Sequence, residues 1–378
     1  MKVLILSCNT GEGHNSCAAA LEEECRNQNI PCDTEDALRF ISPEVSRFIS
    51  NWHVRIYRHA PGLFRVGYRA AEDHPAQFHE GSALYRYLTQ GAEKLCGFIA
   101  GSGYDTVICT HTFAALMVSE VAKTHLPNLK TCFIATDYTC SPSVKDSSLD
   151  RYFIPASSLS GDFLGGGVTS KRLRACGIPV RQMFRSSVRK EDAKRAFGIP
   201  ADHKHLVMMC GSMGCGPIMS IARRIGRDLP DDQDLTIVCG TNKQLYRRLQ
   251  RRFYDAKNVH VRSYVKDMAL LMDSADLYLT KPGGISVTEA ASMRLPMVFI
   301  DAVAGCEEYN KDFFLRTGGA VTGQTPKEIA RTSLRLLSDE YTLEKMGDAL
   351  DAAVPHNAAA NILSEMSEAE EEKEEDLA

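Results

Sequence analysis

Nine short apolar runs punctuate the chain. In the first half they are VLILS (3–7), TVICT (106–110), TCFIA (131–135) and YFI (152–154). In the second they are LVMMC (206–210), LTIVC (235–239), VHVRS (259–263), LYLT (277–280) and MVFI (297–300). Apolar runs that do not alternate with polar residues, each bounded by turn residues, suit parallel strands buried on both faces. Between them lie helical stretches such as CAAALEEECRN (17–27) and IMSIARRIGRDL (218–229). That order predicts βαβ units and a doubly wound α/β fold. The stretch GIPVRQMFRSSVRKEDAKRAFGIP (177–200) passes from Gly-Pro punctuation to a charged helix and then a fresh strand. It predicts two Rossmann-like domains, over 1–184 and 185–354, followed by a C-terminal helix and acidic tail over 355–378. Ligands in such sheets bind outside the carboxyl ends of the strands, so two facing sheets predict an interdomain cleft. The terminal EEEKEEDLA is expected to stay solvated and disordered.

Composition narrows the class. A chain of 378 residues exceeds one ordinary core, and 44% apolar with 24% charged residues is the balance of a soluble globular protein. A net charge of −4 argues against nucleic acid as a partner of the whole protein. The thirteen cysteines fall mostly inside apolar runs and follow neither a disulfide framework nor CxxC metal knuckles, so buried free thiols in a reducing cytoplasm are expected. The apolar part of MKVLILSCNTGEGH is too short for a signal peptide. No apolar run approaches the roughly 20 residues that span a bilayer. A cytoplasmic protein, touching a membrane only at its surface, is the expectation.

Three glycine-bearing turns fall at strand carboxyl ends: SCNTGEGHNS (7–16), CGSMGCGP (210–217) and TKPGGISVTEA (280–290). Each leads into a helix, whose first N–H groups and positive dipole end suit an anion. None has P-loop spacing, and no acidic residue stands about 20 positions after a GxGxxG, which disfavours ATP and NAD and removes a dehydrogenase from consideration. A nucleotide diphosphate carrying a pendant group fits better, with its pyrophosphate on a helix N-terminus and Glu289 on the ribose hydroxyls. His14, exposed by flanking glycines at the entry to the first helix, is a general-base candidate, because the helix dipole disfavours its protonated form. Asp137, in ATDYTC, is the second candidate, as base or as a group orienting His14. No carboxylate pair has metal-site spacing, so neither metal nor cofactor is expected.

The motifs NTGEGHNS, GIPV, CGSMG, VCGTNKQL, TKPGGISVTEA and AGCEEYN stand in the order and spacing of one family. The chain resembles the processive diacylglycerol glucosyltransferases and monogalactosyldiacylglycerol synthases, and with them the GlcNAc transferase acting on peptidoglycan lipid intermediates. The resemblance implies the GT-B fold, a UDP-sugar donor, a diacylglycerol-like acceptor and inversion at the anomeric carbon. It implies that Gly211, Ser212, Met213 and Gly214 follow the pyrophosphate, with Gly240 of VCGTNKQL beside them. Tyr264 and Val265 would set main-chain groups against uracil. Lys281, Gly283, Gly284, Ile285 and Thr288 would line the phosphates and Glu289 would hold the ribose, while Glu307, Glu308 and Asn310 would face the sugar. Asn9, Gly11 and Gly13 would lie on the acceptor side. Two departures stand out. Cys306 replaces a glutamine frequent in relatives, which leaves the sugar open between glucose and galactose. Asn9 replaces an aspartate thought to act as base in plant members, and an amide cannot take a proton, so the base role moves to His14.

NWHVRIYRHAPGLFRVGYR (51–69) mixes aromatic and cationic residues, among them Trp52, Arg55, Tyr57, Arg58, Phe64 and Arg65. Such a mixture suits an anionic lipid surface; an ordinary helix pair with aromatics turned inward is the other reading. Three functions therefore stand: a glycolipid-forming transferase, a transferase with another acceptor such as a peptidoglycan-type lipid precursor, and a non-catalytic UDP-sugar sensor.

Overall fold

The computed structural model describes residues 1–9, 12–49, 66, 69–70, 73–300, 302 and 305–375. These form two compact units, one built on Met1–Gln182 with Pro355 onward, the other on Met183–Val303 and Glu307–Val354.

The first unit holds a six-stranded parallel sheet, β1 (Val3–Ser7), β2 (Cys32–Asp36), β3 (Thr106–Cys109), β4 (Lys130–Ile134), β5 (Arg151–Phe153) and β6 (Leu173–Arg174), in the order β2-β1-β3-β4-β5-β6. Val3, Leu4, Ile5 and Leu6 are wholly buried, each worth about 1.5–3 kcal/mol of burial. The helix Glu12–Asn27 crosses back over β1, burying Cys17, Ala18, Leu21 and Cys25 at helical spacing. Chain order reverses between β1 and β3, so the switch point of this sheet lies beside the first glycine turn.

The second unit has the same plan: β7 (Lys204–Met209), β8 (Gln233–Val238), β9 (Val259–Arg262), β10 (Leu277–Thr280), β11 (Met297–Phe299) and β12 (Ala320–Thr322), in the order β12-β11-β10-β7-β8-β9. All its neighbouring strands pair in parallel. Its switch point falls between β7 and β10, the two strands that carry the CGSMGCGP and TKPGG turns.

All nine apolar runs are strands. β2, β6 and β12 are additional, and each is an edge strand, short or largely polar, so no long apolar run announces them. The acidic tail departs from expectation. A helix runs Ala358–Glu375, anchored by buried Ile362, Leu363 and Met366 and packed on Glu12–Asn27. Its Glu-rich end continues the helix because Glu and Lys are good helix formers once a turn exists to extend. All thirteen cysteines are free thiols. Among the described residues no helix is long and apolar enough to cross a membrane.

Candidate functional site

In the second unit the turns after β7, β8 and β10 interlock. Thr241 donates its backbone N–H to the Ser212 carbonyl at 2.8 Å, and the Asn242 side-chain amide donates to the Gly214 carbonyl at 3.0 Å. The contact is so close that only glycine fits. A Cβ on Gly240 would lie 2.1 Å from the Ser212 oxygen, and one on Gly214 would lie 2.4 Å from the Cys239 oxygen. Both also have left-handed φ, +57° and +56°. Lys281, 5% exposed, runs its Cε 3.4 Å from where a Gly216 Cβ would stand, which joins the third turn to the first.

Gly283 differs from these. Its φ of −73° and ψ of 131° suit any residue, and a Cβ there would meet nothing within 4 Å. Neither backbone strain nor protein packing calls for glycine at this position. It is the N-cap of the helix Gly284–Ser292, makes no side-chain capping bond, and accepts the Val287 N–H at 3.0 Å. The first N–H groups of that helix therefore point past Gly283 without intrahelical partners. The Pro282 carbonyl before it is held at 2.9 Å by the amide of Asn310, which is fully buried. Asn310 thus steadies the glycine turn, a role the motif did not suggest. The Thr288 hydroxyl donates back to the Gly284 carbonyl at 2.6 Å, and Ile285 is buried.

Glu289 is half-buried one turn further on, and its carboxylate adds to the effect of burial in pushing the Tyr278 phenol below it up to about 12. Glu307 is buried and Glu308 half-buried in the first turn of the helix Cys306–Thr317, where their charge suits the dipole. Tyr264 is 70% exposed and, with Val265, follows Ser263, whose carbonyl accepts the Gly240 N–H at 2.8 Å. Met213 lies within the β7 turn, between Ser212 and Gly214. Burial pushes the Cys239 thiol up to about 12, so it offers no nucleophile.

In the first unit, His14 sits in the opening turn of Glu12–Asn27, after Gly13. Its Nδ1 donates to the Thr110 carbonyl at 2.9 Å and lies 3.0 Å from the Thr136 hydroxyl. A carbonyl can only accept, so Nδ1 carries a proton. The ring meets His111 edge-on at 4.5 Å, and His111 Nδ1 accepts the Phe113 N–H at 3.0 Å, capping the helix Thr112–Thr124. Asp137 follows directly on Thr136 and is half-buried. Asn9 donates to Asp36 at 3.0 Å and accepts from Asn15 at 3.1 Å, while Asn15 accepts from Ser7 at 2.7 Å.

Thr110, His111 and Thr136 escaped the sequence reading. Their signal was available: each stands just past the carboxyl end of β3 or β4, at the switch-point edge of the sheet. The Thr110 hydroxyl is buried with no hydrogen-bond partner among the described residues. Gly11, Trp52, Arg55, Tyr57, Arg58, Phe64 and Arg65 lie outside the described residues. Among those described, no group of three His, Cys, Asp or Glu side chains is placed to hold a metal ion.

Residues 14–180 match the family described as Monogalactosyldiacylglycerol (MGDG) synthase, and residues 222–351 match Glycosyl transferases group 1. A processive diacylglycerol beta-glucosyltransferase of Staphylococcus saprophyticus is 24% identical over 98% of this chain and 95% of its own. One from Bacillus cereus is 25% identical over 96% and 92%. Among solved structures, MurG of Acinetobacter baumannii superposes with a TM-score of 0.64 at 15% identity, covering 97% of this chain and all of the other. A UDP-GlcNAc 2-epimerase of Neisseria meningitidis bound to UDP-GlcNAc gives 0.62 at 15% identity over 97% and 100%. At 15% identity these superpositions establish the GT-B architecture and nothing of the chemistry.

Proposed function

We propose that this chain, which matches the MGDG synthase family over residues 14–180 and Glycosyl transferases group 1 over residues 222–351, transfers a hexose from a UDP-sugar to diacylglycerol with inversion. Gly283 carries this reading. A glycine that neither φ nor packing demands, at the mouth of an uncapped helix, leaves room for a group from outside the protein. A diphosphate fits there. The helix N–H groups and Lys281 meet its charge, which grows as the C1–O bond to phosphate breaks. Glu289 takes the ribose hydroxyls.

On the acceptor side His14 Nε2 removes the hydroxyl proton, while Thr110 and Thr136 hold the imidazole in the tautomer that can receive it. The acceptor oxygen then attacks C1 from the face opposite the departing UDP, giving inversion. Glucose and galactose are the donor sugars considered, with Cys306 replacing the amide frequent in relatives.

The segment 51–69 is proposed as the contact with anionic lipid at the inner face of the membrane. Phe48, just before this segment, and Val66, within it, are 66% and 63% exposed. The test is direct transfer: UDP-glucose or UDP-galactose with diacylglycerol in anionic vesicles, read by mass spectrometry. A lipid heavier by one hexose is expected. Donor binding without a lipid product would favour another acceptor or a sensor, and no binding of either donor would overturn the reading.

A further inference from the structure

The helix Lys243–Arg252, KQLYRRLQRR, carries five basic residues and no acidic one. That is unusual in a chain where acids outnumber Lys and Arg, 48 to 44. Its inner face is fixed: Leu249 is buried and Leu245 and Tyr246 pack against the core of the second sheet. Lys243, Arg247, Arg248, Arg251 and Arg252 are therefore turned outward, and all are exposed. Lys243, Arg247 and Arg251 recur every fourth residue, a stripe about 12 Å long. Just past the helix, Tyr254 is 85% exposed.

Elsewhere surface arginines find carboxylates close by, as Arg26 does with Glu22, Arg189 with Asp192 and Arg227 with Asp228. Among the described residues no ion pair engages Arg247, Arg248, Arg251 or Arg252; Arg252 lies over the Phe253 ring instead. Asp255 is the one nearby acid along the chain.

We propose that this face of the second unit is a docking surface for anionic phospholipid, separate from the aromatic segment of the first. The inference rests on the reading that the acceptor is a membrane lipid. A flat row of unpaired arginines ending in an exposed tyrosine has the charge and the amphipathic aromatic that an anionic headgroup layer accepts. Duplex nucleic acid would meet the same charge.

The test uses the full chain and the variant Arg247→Gln/Arg248→Gln/Arg251→Gln. Glutamine keeps helix propensity, and no ion pair is lost, so an unchanged melting temperature is expected. Co-sedimentation is measured with phosphatidylcholine vesicles, with and without phosphatidylglycerol. Each basic residue at an anionic surface is worth roughly fivefold in partitioning, so losing Arg247 and Arg251, the two arginines of the stripe, lowers it at least about 25-fold. Raising salt well above about 0.1 M should shrink the difference.

Wild-type protein that binds both vesicle types equally, or a variant that partitions like wild type, would overturn the proposal. So would a variant that loses binding to duplex DNA but not to vesicles. Transfer to short-chain diacylglycerol in neutral micelles, away from any charged surface, should be the same in variant and wild type. Failure of that transfer in wild type would defeat the proposed function and leave the vesicle result to judge the surface on its own.

Discussion

Gly283→Ala separates a ligand's demand for space from the protein's. Alanine fits φ −73° and ψ 131°, and its Cβ would meet no protein atom within 4 Å. Two small terms act on stability. Replacing glycine removes chain entropy from the unfolded state, worth about 0.4–1 kcal/mol in favour of the variant. Alanine is the poorer N-cap by a comparable amount. The net change is expected within about 1 kcal/mol, which for a chain of this size moves the melting temperature by about 2–4 °C or less. Donor binding should respond much more. The new methyl stands where a phosphate oxygen would approach the helix N–H groups, and hydrogen bonds to a charged acceptor are worth about 1.5–3 kcal/mol each. Losing one weakens UDP binding about 10- to 150-fold. Titration calorimetry with UDP, paired with thermal melts, reads both quantities. A variant that binds UDP within twofold of wild type would show that Gly283 is not where the diphosphate lies, whatever its stability.

The turn after β8 should behave in the opposite way: Gly240→Ala forces a Cβ to 2.1 Å from the Ser212 carbonyl at φ +57°, so stability and UDP affinity should fall together. Its left-handed backbone alone costs about 1–2 kcal/mol. A Gly240→Ala melting temperature equal to wild type would contradict the interlocked turns. His14→Ala should lower kcat by about 10²–10⁴ while leaving UDP affinity unchanged, the signature of a lost base; a kcat within tenfold of wild type would pass the role to another group. Stability should also depend on acid through His205. Burial lowers this histidine to about 4 from an unfolded value near 6.5, so between those pH values the unfolded chain binds the extra proton. Stability is then full above about pH 6.5, and roughly 3 kcal/mol of it is lost as pH falls towards 4. Urea melts of His205→Asn should show a flatter profile across that window, and an equal slope would refute the assignment.

Much of this was legible in the residues because parallel strands buried on both faces leave a plain trace. VLILS, LVMMC and LTIVC are uninterrupted apolar runs and therefore visible. CDTED is an edge strand with one face in water, and its polar residues conceal it. The glycine turns could be placed at the strand ends, yet glycines with different reasons for being there look identical in one dimension. Gly240 is required by a carbonyl 2.1 Å away, whereas nothing within 4 Å requires Gly283. Asn310 could be assigned to the motif but not to its task, because a hydrogen bond to Pro282 spans 28 residues. Thr110 and Thr136 were hidden for a similar reason. They follow the ends of β3 and β4, 96 and 122 residues from His14, and meet its imidazole nitrogen only when the sheet is assembled.

The partners of Asn9 account for an amide at position 9 and accord with the proposed histidine base. Asn9 lies between two partners of opposite need: its NH2 donates to the buried Asp36 carboxylate, and its carbonyl accepts from the Asn15 amide. A carboxylate in its place could satisfy Asn15 but would face the Asp36 oxygen at about 3 Å, where like charges cannot both ionise without a large cost. Asp36 itself is committed to the fold, since it also accepts from the Leu38 N–H and the Ser46 hydroxyl. The first glycine turn therefore favours a neutral residue at position 9, and proton removal has to come from a group whose partners support it. The proposed base, His14, has its Nδ1 tied to the Thr110 carbonyl at the end of β3.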